Sequence, residues 1–84
     1  MPGFVYILKS LKTDRYYVGC SEEPDIRLKY HNAGKVSATR HQVPWVKVFV
    51  MKFDNMTDAR KEEYRIKKMK SRKYIEELLV RAPR

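Results

Sequence analysis

The chain has 84 residues, enough for one small domain spanning residues 1–84 and not two. Its formal net charge of +9, from 19 Lys and Arg against 10 Asp and Glu, favours a polyanionic partner. Nucleic acid comes first, because no basic helix carries the broad Leu/Phe/Trp face of a membrane-surface binder. No apolar run is long enough to span a bilayer, no basic head precedes an apolar leader, and one cysteine, Cys20, excludes an internal disulfide. The expectation is a cytoplasmic protein.

Phe4 to Lys9 reads as the first strand and Tyr16 to Cys20 as the second, since β-branched and aromatic residues dominate both and Ser10 to Arg15 is a polar break. Side chains alternate across a strand. With an even-numbered, unbulged loop, Tyr6 and Tyr17 project from the same face of this hairpin and Tyr16 from the other. Thr13-Asp14 is the expected two-residue turn, as Asp tolerates positive φ. Gly19 places no side chain on the shared face and leaves room for something to approach the phenols. Both tyrosines also have a plain reading as ordinary sheet residues. Cys20 reads as a small packed residue, with a reactive thiol as the alternative.

Ser21-Glu22-Glu23-Pro24 opens a helix over Pro24 to His31, with Pro24 suited to the first turn. Asn32-Ala33-Gly34 ends it, Gly34 being the left-handed stop. Arg27 and His31, four residues apart, share one helix face. Arg suits a phosphate and a neutral His can accept a proton near pH 7, although such a pair also occurs as a solvated face. Lys35 to Pro44 is a polar, basic loop holding Thr39, Arg40 and His41. Trp45 to Phe53 is the third strand, with Val46, Val48 and Val50 on one face and Lys47, Phe49 and Met51 on the other.

Asp54 to Thr57 is a turn and cap, followed by a helix over Thr57 to Arg72 and a last amphipathic turn from Tyr74 to Val80. At about 100° per residue, Met56, Ala59, Ile66 and Met69 form the inward stripe, and both Glu62 and Glu63 fall within it. A carboxylate there requires a partner, because desolvating a charge is costly. A Lys, an Arg or a metal could supply it; a salt bridge at the rim of the core is the simplest case. Arg65, Lys67, Lys68, Lys70, Arg72 and Lys73 crowd the end of this helix, where phosphate contacts would give affinity without sequence choice. The order β-β-α-β-α-α describes an α+β domain, a three-stranded antiparallel sheet flanked by helices.

Taken together, two phenols, a guanidinium, an imidazole and a helix-borne carboxylate are the parts of a phosphodiester-cleaving site. The chain resembles the GIY-YIG nuclease superfamily, in particular its small single-domain bacterial members of the excision-repair endonuclease type. Phe4-Val5-Tyr6 stands where the family has Gly-Ile-Tyr, and Tyr17-Val18-Gly19 where it has Tyr-Ile-Gly, at the family's spacing. Arg27 matches the helix arginine and His31-Asn32 a His-Asn pair of the small members. Thr39-Arg40, Pro44 and the run Glu63-x-x-Ile66-Lys67-Lys68 followed by Ser71-Arg72 fit the same branch.

The resemblance implies a phosphodiesterase acting on branched, nicked or damaged DNA, as in DNA repair, with Mg²⁺ or Mn²⁺. It selects Glu63 over Glu62 as the metal carboxylate, holding the ion mostly through waters. Tyr6 or Tyr17 would deprotonate or orient the attacking water, with cations such as Arg27 lowering the phenol's pKa. Arg27 would bind the scissile phosphate, and His31 is the alternative base. Gly19, Lys35, Thr39, Arg40, Lys67, Lys68 and Arg72 are expected to contact nucleic acid. Phe4 and Cys20 depart from the family pattern, and no separate DNA-recognition domain is visible, so a protein partner supplying specificity is expected. The competing readings are a non-catalytic nucleic-acid-binding module on this scaffold and a basic protein that docks an acidic one.

Overall fold

The structure is a computed structural model that describes residues 1–81. Its elements are β1 (Gly3–Ser10), β2 (Tyr16–Ser21), α1 (Pro24–Asn32), a single 3-10 turn at Arg40–Gln42, β3 (Trp45–Phe53), α2 (Met56–Met69) and α3 (Arg72–Arg81). The order is β-β-α-β-α-α and the class α+β, as expected. The three strands pair antiparallel in the order β2-β1-β3. No helix among the described residues is long and apolar enough to cross a membrane.

The apolar run Val5 to Leu8 lies on the central strand and is buried on both faces. Val5 and Ile7 join Val18 and Phe49 on one face and pack on Ala59 and Ile66 of α2 and on Ile75, Leu78 and Leu79 of α3. Tyr6 and Leu8 join Trp45 on the other face, with Tyr17, Val43 and Leu28 of α1. The sheet is therefore the middle of three layers, because alternation sends the two halves of one apolar run to opposite sides.

The hairpin register pairs Tyr6 with Gly19 and Leu8 with Tyr17, so Tyr6 and Tyr17 do share a face. The turn differs from expectation. Asp14 takes the positive φ of 66°, but the loop has four residues, Leu11 to Asp14, closed by Ser10 N–H donating to Arg15 O at 2.8 Å and Asp14 N–H to Ser10 O at 3.0 Å. The buried Ser10 hydroxyl decides this. It accepts from the Lys12 and Thr13 amides and donates to Gln42 O at 2.6 Å, satisfying backbone groups that a longer loop would leave open.

The third strand corrects the sequence reading. A bulge between the Ile7–Phe49 and Leu8–Lys47 pairs leaves Val48 without a partner and reverses the alternation. Trp45 and Phe49, which an unbroken strand would place together, are both buried on opposite faces of the sheet, and Lys47 parts from Phe49 and Met51. Val46 and Val50 also fall on opposite faces, and all three valines are exposed on this edge strand.

Pro24 starts α1, and Gly34 at φ 76° follows its end. The Asn32 side chain then clamps the helix to β3, donating to Trp45 O at 2.9 Å and accepting from Trp45 N–H at 2.6 Å. Asn55 caps α2 by accepting the Asp58 amide at 2.8 Å. That helix stops at Met69, short of the expected Arg72, because Lys70 adopts the left-handed conformation at φ 49°. Met69, the last residue of the helix, is exposed and not part of the buried stripe, while Ala59 and Ile66 lie in the core.

Candidate functional site

The face carrying Tyr6 and Tyr17 is covered at one end by α1 and the loop that follows it. Helical spacing brings His31 down onto Tyr6, and the two are linked at 3.0 Å between Tyr6 Oη and His31 Nε2. On its other side, His31 Nδ1 lies 2.8 Å from Thr39 Oγ1, whose hydroxyl has Val36 O at 3.4 Å as its acceptor. A neutral imidazole has one donor and one acceptor. The arrangement in which every group is paired runs Tyr6 O–H to Nε2, Nδ1–H to Thr39 Oγ1, and Thr39 O–H to Val36 O. Tyr6, His31 and Thr39 are all within 1% of complete burial.

Burial, then the positive charge of Arg27, pushes the His31 pKa down to about 4. The imidazole is therefore neutral at pH 7, as the chain of donors requires. Tyr6 is pushed up to about 12, first by burial and next by neighbouring Tyr17; Arg27 acts in the opposite sense and Glu63 adds a smaller upward push. The expectation that cations would lower the phenol's pKa is overturned for Tyr6, because desolvation of the phenolate outweighs Arg27. Tyr6 stays protonated and serves as a donor to His31.

The sign of the stability effect follows. In the unfolded chain His31 regains its ordinary pKa of 6.5 and binds a proton that the folded chain excludes. Stability falls as pH drops from 6.5 toward 4. Between pH 7 and pH 5 the loss from this one group is about 2 kcal/mol. Urea unfolding of wild type and His31→Gln at both pH values checks it: the variant is expected to lose less on acidification.

Tyr17 differs from Tyr6. It is half-buried, and among the described residues its hydroxyl makes no hydrogen bond. Its ring is held edge-on by His31 at 4.9 Å and by Trp45 at 6.3 Å between centroids. Arg27, one turn before His31, is half-buried and joins none of the ion pairs among the described residues. Its charge is felt by both Tyr6 and His31.

Glu63 arrives from the opposite layer, on α2, and meets the sheet at the β2 edge. Its Oε1 accepts from the Cys20 thiol at 3.0 Å and its Oε2 from Lys67 Nζ at 2.7 Å. That same ammonium stands 5.6 Å from the Tyr17 ring centroid. Burial and the Glu63 carboxylate push the Cys20 thiol up to about 11, so it donates to Glu63 as a neutral S–H. Glu62, the other inward candidate, is taken up by Arg65 at the helix surface. Among the described residues no group of three His, Cys, Asp or Glu side chains gathers to enclose a metal. One carboxylate suits a hard divalent ion that keeps most of its waters, and Glu63 fits that limited role.

The other expected contacts separate. Gly19 is buried, and the space above it is already filled: a Cβ there would lie 2.5 Å from Tyr6 Oη. The glycine makes room for Tyr6 and not for an incoming group. Thr39 is fully buried and holds His31, so it presents nothing to a ligand. Lys35 and Arg40 are exposed on the loop after α1, their cations near Tyr30 and His41. Lys68 lies over Tyr64, and Arg72 is tied to Asp14 and Glu76 while stacking 4.6 Å from the Tyr16 centroid. The sequence reading missed two positioning roles, those of Cys20 and Thr39. Nothing in spacing signals either, since Cys20 and Glu63 are 43 residues apart.

Residues 2–75 match a known family described as the GIY-YIG catalytic domain. The UPF0213 protein OB0043 of Oceanobacillus iheyensis is 37% identical over 67 residues, covering 79% of this chain and 77% of that one. The solution NMR structure of the UPF0213 protein BH0048 from Bacillus halodurans superposes with a TM-score of 0.61 at 33% identity, covering 95% of this chain and 84% of that one.

Proposed function

This chain belongs to the GIY-YIG family, whose nucleases act on DNA and generally depend on a divalent metal, and from that premise we propose that it is a metal-dependent DNA endonuclease. The observation that carries the proposal is the division of labour on one sheet face. Among the described residues, the Tyr17 hydroxyl makes no hydrogen bond and the Arg27 guanidinium joins no ion pair, and both sit by a base of buried, fully paired groups: the Tyr17 ring meets His31, and the Arg27 charge acts on Tyr6 and His31.

In this reading Tyr17 is the group that meets the attacking water and orients it or takes up its proton. Tyr6, His31 and Thr39 are positioning residues: their buried chain fixes the ring against which Tyr17 leans. Arg27 grips the scissile phosphate and offsets charge growing on it. Glu63 would hold the ion, Mg²⁺ or Mn²⁺, which supplies Lewis-acid stabilisation at the leaving oxygen. His31 is an unsuitable alternative base, because both its nitrogens are occupied and it is sealed from water.

Lys35 and Arg40 extend the cationic surface on the Arg27 side, and Lys67, Lys68 and Arg72 on the other. None forms a base-reading element, so we assign the substrate by shape: branched, nicked or damaged DNA, as in repair, with a protein partner supplying further choice. The test is incubation of the purified chain with nicked and branched duplexes in Mg²⁺ or Mn²⁺. Cleavage that chelation stops, and that Glu63→Ala loses while keeping its circular-dichroism spectrum, supports the reading. Salt-sensitive binding without turnover in any metal would replace it with the non-catalytic module.

A further inference from the structure

Both oxygens of the Glu63 carboxylate are already engaged, one by a neutral thiol and one by the Lys67 ammonium. A thiol hydrogen bond is weak and leaves lone pairs on the oxygen it touches. The ammonium is different: it places a full positive charge 2.7 Å from Oε2, on the carboxylate that a divalent ion would need. A divalent ion drawn to the same carboxylate is repelled by that ammonium, so binding is weaker while the pair stays closed.

We propose that Lys67 is the resident counter-ion of Glu63, displaced when a divalent ion binds, and that it thereby sets the ion concentration at which the site loads. The inference rests on the reading that Glu63 is the metal carboxylate. Lys67 is suited to leave. Its side chain is 47% exposed, against 19% for that of Glu63, and its stem is long and flexible. It also lines a hollow of about 310 Å³ between β2 and the α2–α3 junction, with Arg15, Tyr16, Lys70, Ser71 and Arg72. No carboxylate belongs to that wall. With the metal absent the ammonium has, among the described residues, one ion-pair partner, Glu63. With the metal present it is pushed toward a wall of like charge, where only an incoming anion would hold it.

The Glu63–Lys67 spacing has a bland reading as an ordinary i,i+4 helix pair, which on exposed surfaces contributes little. Mn²⁺ binding separates the two readings. Free Mn²⁺ is measured by electron paramagnetic resonance during titration of wild type, Lys67→Met, Lys68→Met and Glu63→Gln. Lys68 is the control for removal of one positive charge from the same helix, since its ammonium points to Tyr64. Lys67→Met is expected to bind Mn²⁺ about two- to fivefold tighter than wild type, the range set by loss of one partly exposed ion pair. Lys68→Met should match wild type, and Glu63→Gln should lose the site. Equal affinities for Lys67→Met and Lys68→Met, with Glu63→Gln still impaired, would overturn the role of Lys67 and leave the metal carboxylate in place. Unchanged binding by Glu63→Gln would overturn both.

Discussion

Tyr17→Phe is expected to reduce DNA cleavage by about 10² to 10⁴, the range lost when a group that handles a proton in the transition state is removed. It is expected to leave the fold intact. The Tyr17 hydroxyl has no hydrogen-bond partner among the described residues, so its removal strands nothing, and surface-type changes of this kind stay within about 0.5 kcal/mol. The ring contacts to His31 and Trp45 do not involve the oxygen. Tyr6→Phe supplies the contrast. It strands His31 Nε2 in a fully buried setting, which costs about 1–3 kcal/mol. Single-turnover cleavage and thermal melts of the two variants, side by side, decide which phenol meets water. A Tyr17→Phe enzyme that cuts at the wild-type rate would transfer the role away from it.

Gly19→Ala is the second large effect, and it acts through sterics alone. The added methyl would sit 2.5 Å from Tyr6 Oη and 2.6 Å from Cζ, well inside contact distance. A flexible surface side chain would swing aside, but Tyr6 is held by burial, by His31 and by the Leu8–Trp45 cluster. Either the ring moves and breaks its link to His31, or β2 shifts outward from β1. Overpacking of this kind costs about 1–3 kcal/mol. For a domain of this size that lowers the melting temperature by roughly 4–8 °C per kcal/mol. Activity should fall further than stability, because the displaced Tyr6 no longer fixes the imidazole behind Tyr17. A Gly19→Ala protein with wild-type melting and cleavage would show that this approach is not needed.

The sequence carried the fold where local rules act alone. Strand alternation across an even-numbered loop places Tyr6 and Tyr17 together, and Pro24 and Gly34 mark helix ends through chemistry confined to a few neighbours. It failed where one residue broke a period. Val48 is chemically a good strand residue, and nothing in its type announces a bulge, yet skipping it moves Trp45 and Lys47 to the face opposite Phe49. The site was legible as an inventory but not as a set of relations. In the sequence Gly19 reads as empty space; in the fold it is the seat of Tyr6. The resemblance makes Thr39 a nucleic-acid contact, whereas the tertiary fold buries it beneath His31. Lys67 as the partner of Glu63 was within reach, since i,i+4 spacing puts the two side by side. Its approach to Tyr17 depends on how α2 lies along β2, which no local pattern records.

The Nδ1 hydrogen of His31 sits between an imidazole and a threonine oxygen, in a part of the interior that solvent does not reach. Such a hydrogen trades with bulk water only when the surrounding layer opens. It therefore acts as a tracer inside the molecule: its magnetic resonance line marks the lifetime of the closed form, and its disappearance reports the opening of the layer that α1 and the loop after it lay over the sheet.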